Sequence, residues 1–141
     1  AHEIRPGDAF AIRLDDRRIL VVDDDAATRE LLAAVLGRAG ASVDTAEGPK
    51  AALAVIARQA PHLVIADIGM PGEDGYSLIR RIRALPGDVR RVPAIALSAY
   101  TRLEDREAAA EAGFTRFVAK PATPATLLEV LDELLNGRKT S

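Results

Sequence analysis

The chain has 141 residues, 48% of them hydrophobic, and a formal net charge of −2. This suits one domain with a single core and offers no positive excess for a nucleic-acid backbone. The absence of cysteine excludes a disulfide framework and thiol chemistry, and three Phe, two Tyr and no Trp leave little surface for stacking on bases.

Taken in chain order, the elements begin with residues 8–14, Asp-Ala-Phe-Ala-Ile-Arg-Leu, which alternate like a strand. Ile19 to Val22 is an apolar run of β type that stops abruptly at three aspartates, Asp23, Asp24 and Asp25. Leu31, Leu32, Val35 and Leu36 then share one helical face, with Gly40 as a natural stop. Ser42 to Ala46 reads as a second strand, and Ala51 to Ala57 as a helix turning Leu53 and Ile56 inward. His62 to Ala66 is a third strand ending at Asp67, followed by a Gly- and Pro-rich loop over 69–75. Leu78, Ile79 and Ile82 mark the next helix; Pro93 to Leu97 is a fourth strand ending at Ser98. Leu103 to Ala112 is a helix closed by Gly113, and Phe117 to Ala119 a fifth strand ending at Lys120. Thr123 as N-cap and Pro124 at the first helical position open a last helix, whose apolar face runs from Leu127 to Leu135. The longest apolar runs are strand length, short of a membrane span, and residues 1–6 lack the core of a signal peptide, so a cytoplasmic domain without membrane contact is expected.

Apolar strands alternating with amphipathic helices predict an α/β fold: a doubly wound parallel sheet covered on both faces. In such sheets ligands bind outside the carboxyl ends of the strands. Here those ends carry Asp23 and Asp24, Asp67, Ser98 and Lys120. Any one of these has a bland explanation, as a turn residue, a helix cap or a solvated side chain. All of them at the ends of separate strands do not. Carboxylates held close repel one another and call for a cation. An all-oxygen donor set suits Mg²⁺, which leaves positions open for phosphate oxygens. A carboxylate attacking phosphorus gives an acyl phosphate, and the negative charge of the incoming group needs the metal, an ammonium and a hydroxyl donor.

The segments Ile-Leu-Val-Val-Asp-Asp-Asp at 19–25, Ala-Asp-Ile-Gly-Met-Pro-Gly-Glu-Asp-Gly at 66–75, Ala-Leu-Ser-Ala at 96–99 and Val-Ala-Lys-Pro at 118–121 resemble response-regulator receiver domains of two-component signalling. The resemblance runs from about Arg18 to Leu135 and implies a flavodoxin-like five-stranded sheet in the order 2-1-3-4-5 with five helices. It implies that Asp67 accepts a phosphoryl group from a histidine kinase or a histidine phosphotransfer domain. Asp24, the Asp67 carboxylate and the Gly69 carbonyl would bind Mg²⁺ (or Mn²⁺), with Asp23 acting through a metal-bound water and Asp25 as a neighbour. Lys120 would pair with the acceptor and then with phosphoryl oxygens, after a peptide bond to Pro121 that is expected to be cis. Ser98 and Phe117 match the switch hydroxyl and the switch aromatic. Gly69 and Tyr100 fall at positions that influence how water reaches the acyl phosphate, so Tyr100 would modulate its lifetime. Downstream partners would read the face built by the fourth helix, fifth strand and fifth helix.

On this reading residues 1–16 are an extension or linker, 17–137 the receiver and 138–141 a tail. Residues 8–14 resemble the last strand of a kinase ATP-binding domain, which suggests an excised receiver of a hybrid histidine kinase; a stand-alone regulator is the alternative. The receiver itself would catalyse only its own phosphorylation and dephosphorylation. Two other readings compete. One is an interaction module of receiver fold that takes no phosphate. The other is a haloacid-dehalogenase-type phosphatase, with Asp23 as nucleophile and Asp25 as acid. His2 and His62 are not expected to relay phosphate, and His62 should cap a strand start. Arg80, Arg81, Arg83, Arg90 and Arg91 read as a solvated helix face, and Asp132 and Glu133 as surface.

Overall fold

A computed structural model of the chain describes residues 11–69 and 75–137. Five parallel strands, β1 (Arg18–Val22), β2 (Ser42–Ala46), β3 (Leu63–Asp67), β4 (Ala94–Ser98) and β5 (Arg116–Ala119), form one sheet in the order β2-β1-β3-β4-β5. Between and after them run α1 (Ala26–Arg38), α2 (Pro49–Arg58), α3 (Gly75–Arg83), α4 (Leu103–Ala112) and α5 (Pro124–Asn136). The fold class, strand order and helix count are those expected. A 3₁₀ turn at Asp88–Arg91 was not foreseen.

Side chains alternate across a strand, and here the alternation divides the core in two. Ile19, Val21, Leu63, Ile65, Ile95, Leu97 and Val118 point to one face, where α1 and α5 cover them with Leu32, Leu36, Leu127, Leu128 and Leu131. Leu20, Val22, Val64, Ala66, Ala94 and Ala96 point to the other face, under α2, α3 and α4. All residues of β3 and β4 are buried, which is why both strands read as unbroken apolar runs. The sheet register sets Asp67 beside Leu97 and Ser98 beside Ala119, so the polar strand ends fall level along one edge.

Helix starts follow local chemistry. Asp25 caps α1, its carboxylate accepting the Thr28 N–H at 3.1 Å and the Thr28 hydroxyl at 2.5 Å. Thr123 caps α5 by accepting from the Thr126 N–H, with Pro124 in the first turn as expected.

Several expectations are corrected. Leu31 is 58% exposed, because the stripe of α1 that meets the sheet is the narrower one through Leu32 and Leu36. Residues 11–14 form no strand; residues 8–10 lie outside the described residues. Ile12 and Leu14 are nevertheless buried against α1 and α5. This segment is tied down by Leu14 N–H to Ala39 O (2.7 Å) and by Asn136 Nδ2 to Arg13 O (3.1 Å). Gly40, with φ +103°, passes so close that a Cβ there would lie 2.1 Å from Asp15 Oδ1, so a side chain is excluded twice over. Asp132 is not surface but 1% exposed, accepting from Asn136 Nδ2 at 2.7 Å one turn on, and Glu133 pairs with Arg116 of β5. Arg83 is also no solvated side chain: it donates to the carbonyls of Arg90, Val92 and Gly113, stitching α3 to the starts of β4 and β5.

Candidate functional site

The carboxyl edge of the sheet brings the predicted polar residues together. Asp23 follows β1, Asp67 ends β3, Ser98 ends β4 and Lys120 follows β5. Asp23, Asp67 and Ser98 are all buried, while Asp24 is exposed at the mouth. Oxygen atoms of Asp23, Asp24 and Asp67 lie within 4.8 Å of one another. The Lys120 ammonium enters from β5, 3.0 Å from Asp67 Oδ2 and 3.4 Å from Asp23 Oδ2, and the Lys120–Pro121 bond is cis.

The triple aspartate is resolved by hydrogen bonding. Asp25 spends its carboxylate on the α1 cap, and its N–H donates to Asp23 Oδ1 at 2.9 Å. The pair left facing the site is Asp23 and Asp24, as placed from the end of the apolar run. Arg29 reaches back, but to the main-chain carbonyl of Asp23 at 2.7 Å, so it leaves the carboxylates to Lys120.

Asp67 is held from two sides. Its Oδ1 accepts the Gly69 N–H at 2.8 Å, and its Oδ2 faces Lys120. Behind it α3 packs so tightly that a Cβ on Gly75 would come within 2.9 Å of Ile68 Cα and 3.0 Å of Asp67 O. A side chain at this position would collide with the main chain at the end of β3, a constraint that a composition-based loop reading does not reveal. The tip of that loop, residues 70–74, lies outside the described residues. Tyr100 is 65% exposed and leans over the opposite wall: a Cβ on Gly69 would lie 4.0 Å from its ring and 3.4 Å from Asp67 Oδ1. Ser98 Oγ accepts the Tyr100 N–H at 2.9 Å. Phe117 is half-buried against the α2–α4 side of the core, with the Arg106 guanidinium 4.7 Å above its ring.

The electrostatics are strained in one direction. Burial pushes the Asp23 carboxyl above its ordinary range, against the opposing pull of the Asp25 N–H and Lys120. Burial also lowers the Lys120 ammonium, but the carboxylates of Asp67 and Asp23 outweigh it and hold the group raised, hence charged. One lysine against three clustered carboxylates leaves a negative excess. The donors are all hard oxygens, so the set fits a small divalent cation such as Mg²⁺ better than a transition metal wanting His or Cys. The phosphatase reading finds no support here, since its acid, Asp25, is bound up in a helix cap and Asp67 sits in the carboxylate cluster.

An apolar cavity of about 400 Å³ opens beside the site, lined by Thr28, Leu31, Leu97, Lys120, Pro121 and Ala122. His62 lies at the far edge of the sheet, as its place before β3 suggests: its Nδ1 accepts the Arg18 N–H at 2.8 Å and its own N–H donates to Arg18 O. Among the described residues no helix is long and apolar enough to cross a membrane.

A sequence profile of the response regulator receiver domain matches residues 19–132. An uncharacterized 14.6 kDa protein encoded in the sodA1 3' region of Leptolyngbya boryana is 45% identical over 115 residues, covering 82% of this chain and 87% of that protein. The sensor histidine kinase RcsC of Salmonella typhimurium is 37% identical over 121 residues, which cover 86% of this chain and 12% of the kinase. Among solved structures, a putative response regulator from Chloroflexus aurantiacus superposes with a TM-score of 0.79 at 34% identity, covering 85% of this chain and 98% of that one.

Proposed function

Because the chain belongs to the response regulator receiver family, we propose that it takes a phosphoryl group from a phosphohistidine onto Asp67 and in doing so switches an interaction surface. The observation that carries this is the convergence of Lys120 on the Asp67 carboxylate inside a cluster of three aspartates. In the transfer, an Asp67 oxygen forms a bond to phosphorus as the N–P bond of the donor breaks, and the imidazole leaves with the electron pair. Dephosphorylation is attack of water on the same phosphorus, returning the carboxylate and inorganic phosphate.

Asp24, Asp67 and the Gly69 carbonyl would hold Mg²⁺ or Mn²⁺ directly, with Asp23 acting through a water. The cation's contribution is to neutralise phosphoryl charge. Lys120 takes phosphoryl oxygens as it now takes Asp67, and Ser98 supplies a hydroxyl donor after leaving the Tyr100 N–H. Phe117 follows, and the responding face is that of α4, β5 and α5, on which a downstream protein would dock. Tyr100 stands where it can restrict water, so Tyr100→Ala should change the decay rate of the acyl phosphate; an unchanged rate would end that role.

The donor is a histidine kinase or a histidine phosphotransfer domain in the cytoplasm, and we place the receiver in a hybrid kinase, a reading supported by the RcsC match. The 45% identical relative, itself a protein of 14.6 kDa, supports the alternative of a stand-alone regulator. The reading frame upstream of residue 1 separates the two.

The direct test is intact mass after incubation with acetyl phosphate and Mg²⁺. One phosphoryl adduct should form, require the cation, and be absent from Asp67→Asn. An adduct that survives this substitution would place the acceptor elsewhere. No adduct, together with no binding of beryllofluoride, would favour the module that takes no phosphate.

A further inference from the structure

β5 is an edge strand tied to the helix on each side by a contact that involves an arginine, and the two contacts differ in kind. Arg116 points to the α5 face and pairs with the Glu133 carboxylate. The next residue, Phe117, points to the α4 face and meets a guanidinium rather than a hydrocarbon. That guanidinium belongs to Arg106 in the second turn of α4. Its Nε also reaches the Thr101 carbonyl at 3.4 Å. Two acidic residues of the first turn are engaged elsewhere: Glu104 with the Arg102 guanidinium and Asp105 with the Arg102 N–H. A planar, weakly hydrated guanidinium over an aromatic face is an attractive pairing that a lysine or an aliphatic residue reproduces poorly.

We propose that Arg106 is a positioning residue for the switch: a latch that holds Phe117 and the β4–α4 loop in the arrangement seen here and so sets how readily the domain activates. The proposal rests on the reading of Ser98 and Phe117 as the switch pair. Arg106 joins three parts that this switch would move. It rides on α4, touches the Phe117 ring on β5, and contacts Thr101, three residues beyond Ser98 in the loop whose Tyr100 N–H now holds the Ser98 hydroxyl. Drawing Ser98 toward a phosphoryl group pulls on that loop, and turning Phe117 away removes the ring from beneath the guanidinium. Both Arg106 contacts therefore belong to one arrangement and not to the other. A group biases a two-state equilibrium by the difference in its interactions between the states, and here that difference favours rest. A partly exposed cation–π contact of this kind corresponds to about a two- to fivefold shift in the equilibrium.

The test uses the full chain with 4-fluorophenylalanine placed at position 117, followed by ¹⁹F NMR during titration with beryllofluoride and Mg²⁺. In the wild type the Phe117 resonance should move on binding. In Arg106→Ala it should already lie part of the way toward the bound position before any addition, and the titration midpoint should fall about two- to fivefold. Arg106→Lys, which keeps the charge and loses the planar stack, should fall between the two. Arg106 is exposed, and a thermal melt of Arg106→Ala close to that of the wild type would show that the shift is not a loss of fold. A resonance and midpoint identical to wild type in Arg106→Ala would overturn the latch while leaving the switch standing. A wild-type resonance that stays still while beryllofluoride binds would remove the switch reading, and the latch with it.

Discussion

The two edges of the sheet, where the strands begin and where they end, put charged side chains to opposite use. At the edge where the strands begin, arginines donate to main-chain carbonyls: Arg17 to Leu135, Arg18 to Ala60 and Arg83 to Val92 and Gly113. Each of these carbonyls gains a partner, and Ile12 and Leu14 are drawn into the core beneath them. At the edge where the strands end, three carboxylates crowd within 4.8 Å around one lysine, and burial makes the Asp23 charge costly. One edge is relaxed and closes the fold. The other holds an excess of negative charge that a divalent cation would relieve. Stability and chemistry are thus separated by the length of a strand, and substitutions at the two edges should move them independently.

The largest expected effect lies at the relaxed edge. Leu14 is fully buried, and truncating such a leucine costs about 2–5 kcal/mol. Leu14→Ala should therefore lower the urea midpoint substantially, while the surviving folded protein still forms the Mg²⁺-dependent adduct. A Leu14→Ala variant of wild-type stability would show residues 11–16 to be the loose linker that their position before the first strand suggested.

That segment also shows where the sequence was legible and where it was not. β2 and α4 have the bounds expected from pattern alone, because local alternation and a closing glycine set them. The strand-end residues came together as expected because a parallel sheet levels its carboxyl ends whatever the loops do. Ile12 and Leu14 were visible as alternating apolar positions, but alternation does not say what an extended segment packs against. Asp132 was misread as surface although it lies four residues after buried Leu128, on the same helical face; polarity was weighed over period. Arg83 carried the same signal, four residues after buried Ile79. The Arg116–Glu133 and Arg106–Phe117 pairs left no local trace, since each joins residues whose proximity is decided by the fold.

At the strained edge the expected sign reverses. Asp23→Asn removes one of three repelling carboxylates, keeps an oxygen able to accept the Asp25 N–H, and sacrifices the 3.4 Å contact with Lys120. The raised Asp23 carboxyl says that burial outweighs that contact. The metal-free variant should therefore be more stable than wild type, with a higher Tm. It should also lose most of its response to Mg²⁺, which ought to raise the wild-type Tm. A variant less stable than wild type without metal would show that Lys120 already compensates the charge, and the contrast between the two edges would narrow.

The smallest effect tests whether the relaxed edge holds any titrating strain of its own. His62 Nδ1 accepts the Arg18 N–H, which requires that nitrogen to be unprotonated. Burial, then the charges of Arg18 and Arg17, hold the imidazole below its ordinary value of 6.5. A histidine that is harder to protonate folded than unfolded contributes stability above the unfolded pKa and loses it as pH falls toward the folded one. The wild-type urea midpoint should accordingly drop between about pH 7 and pH 5. His62→Asn, whose side-chain oxygen can accept the same N–H without titrating, should show a shallower drop over that interval. Parallel curves for the two proteins would mean that the histidine turns aside on protonation at no cost, leaving the relaxed edge insensitive to acid.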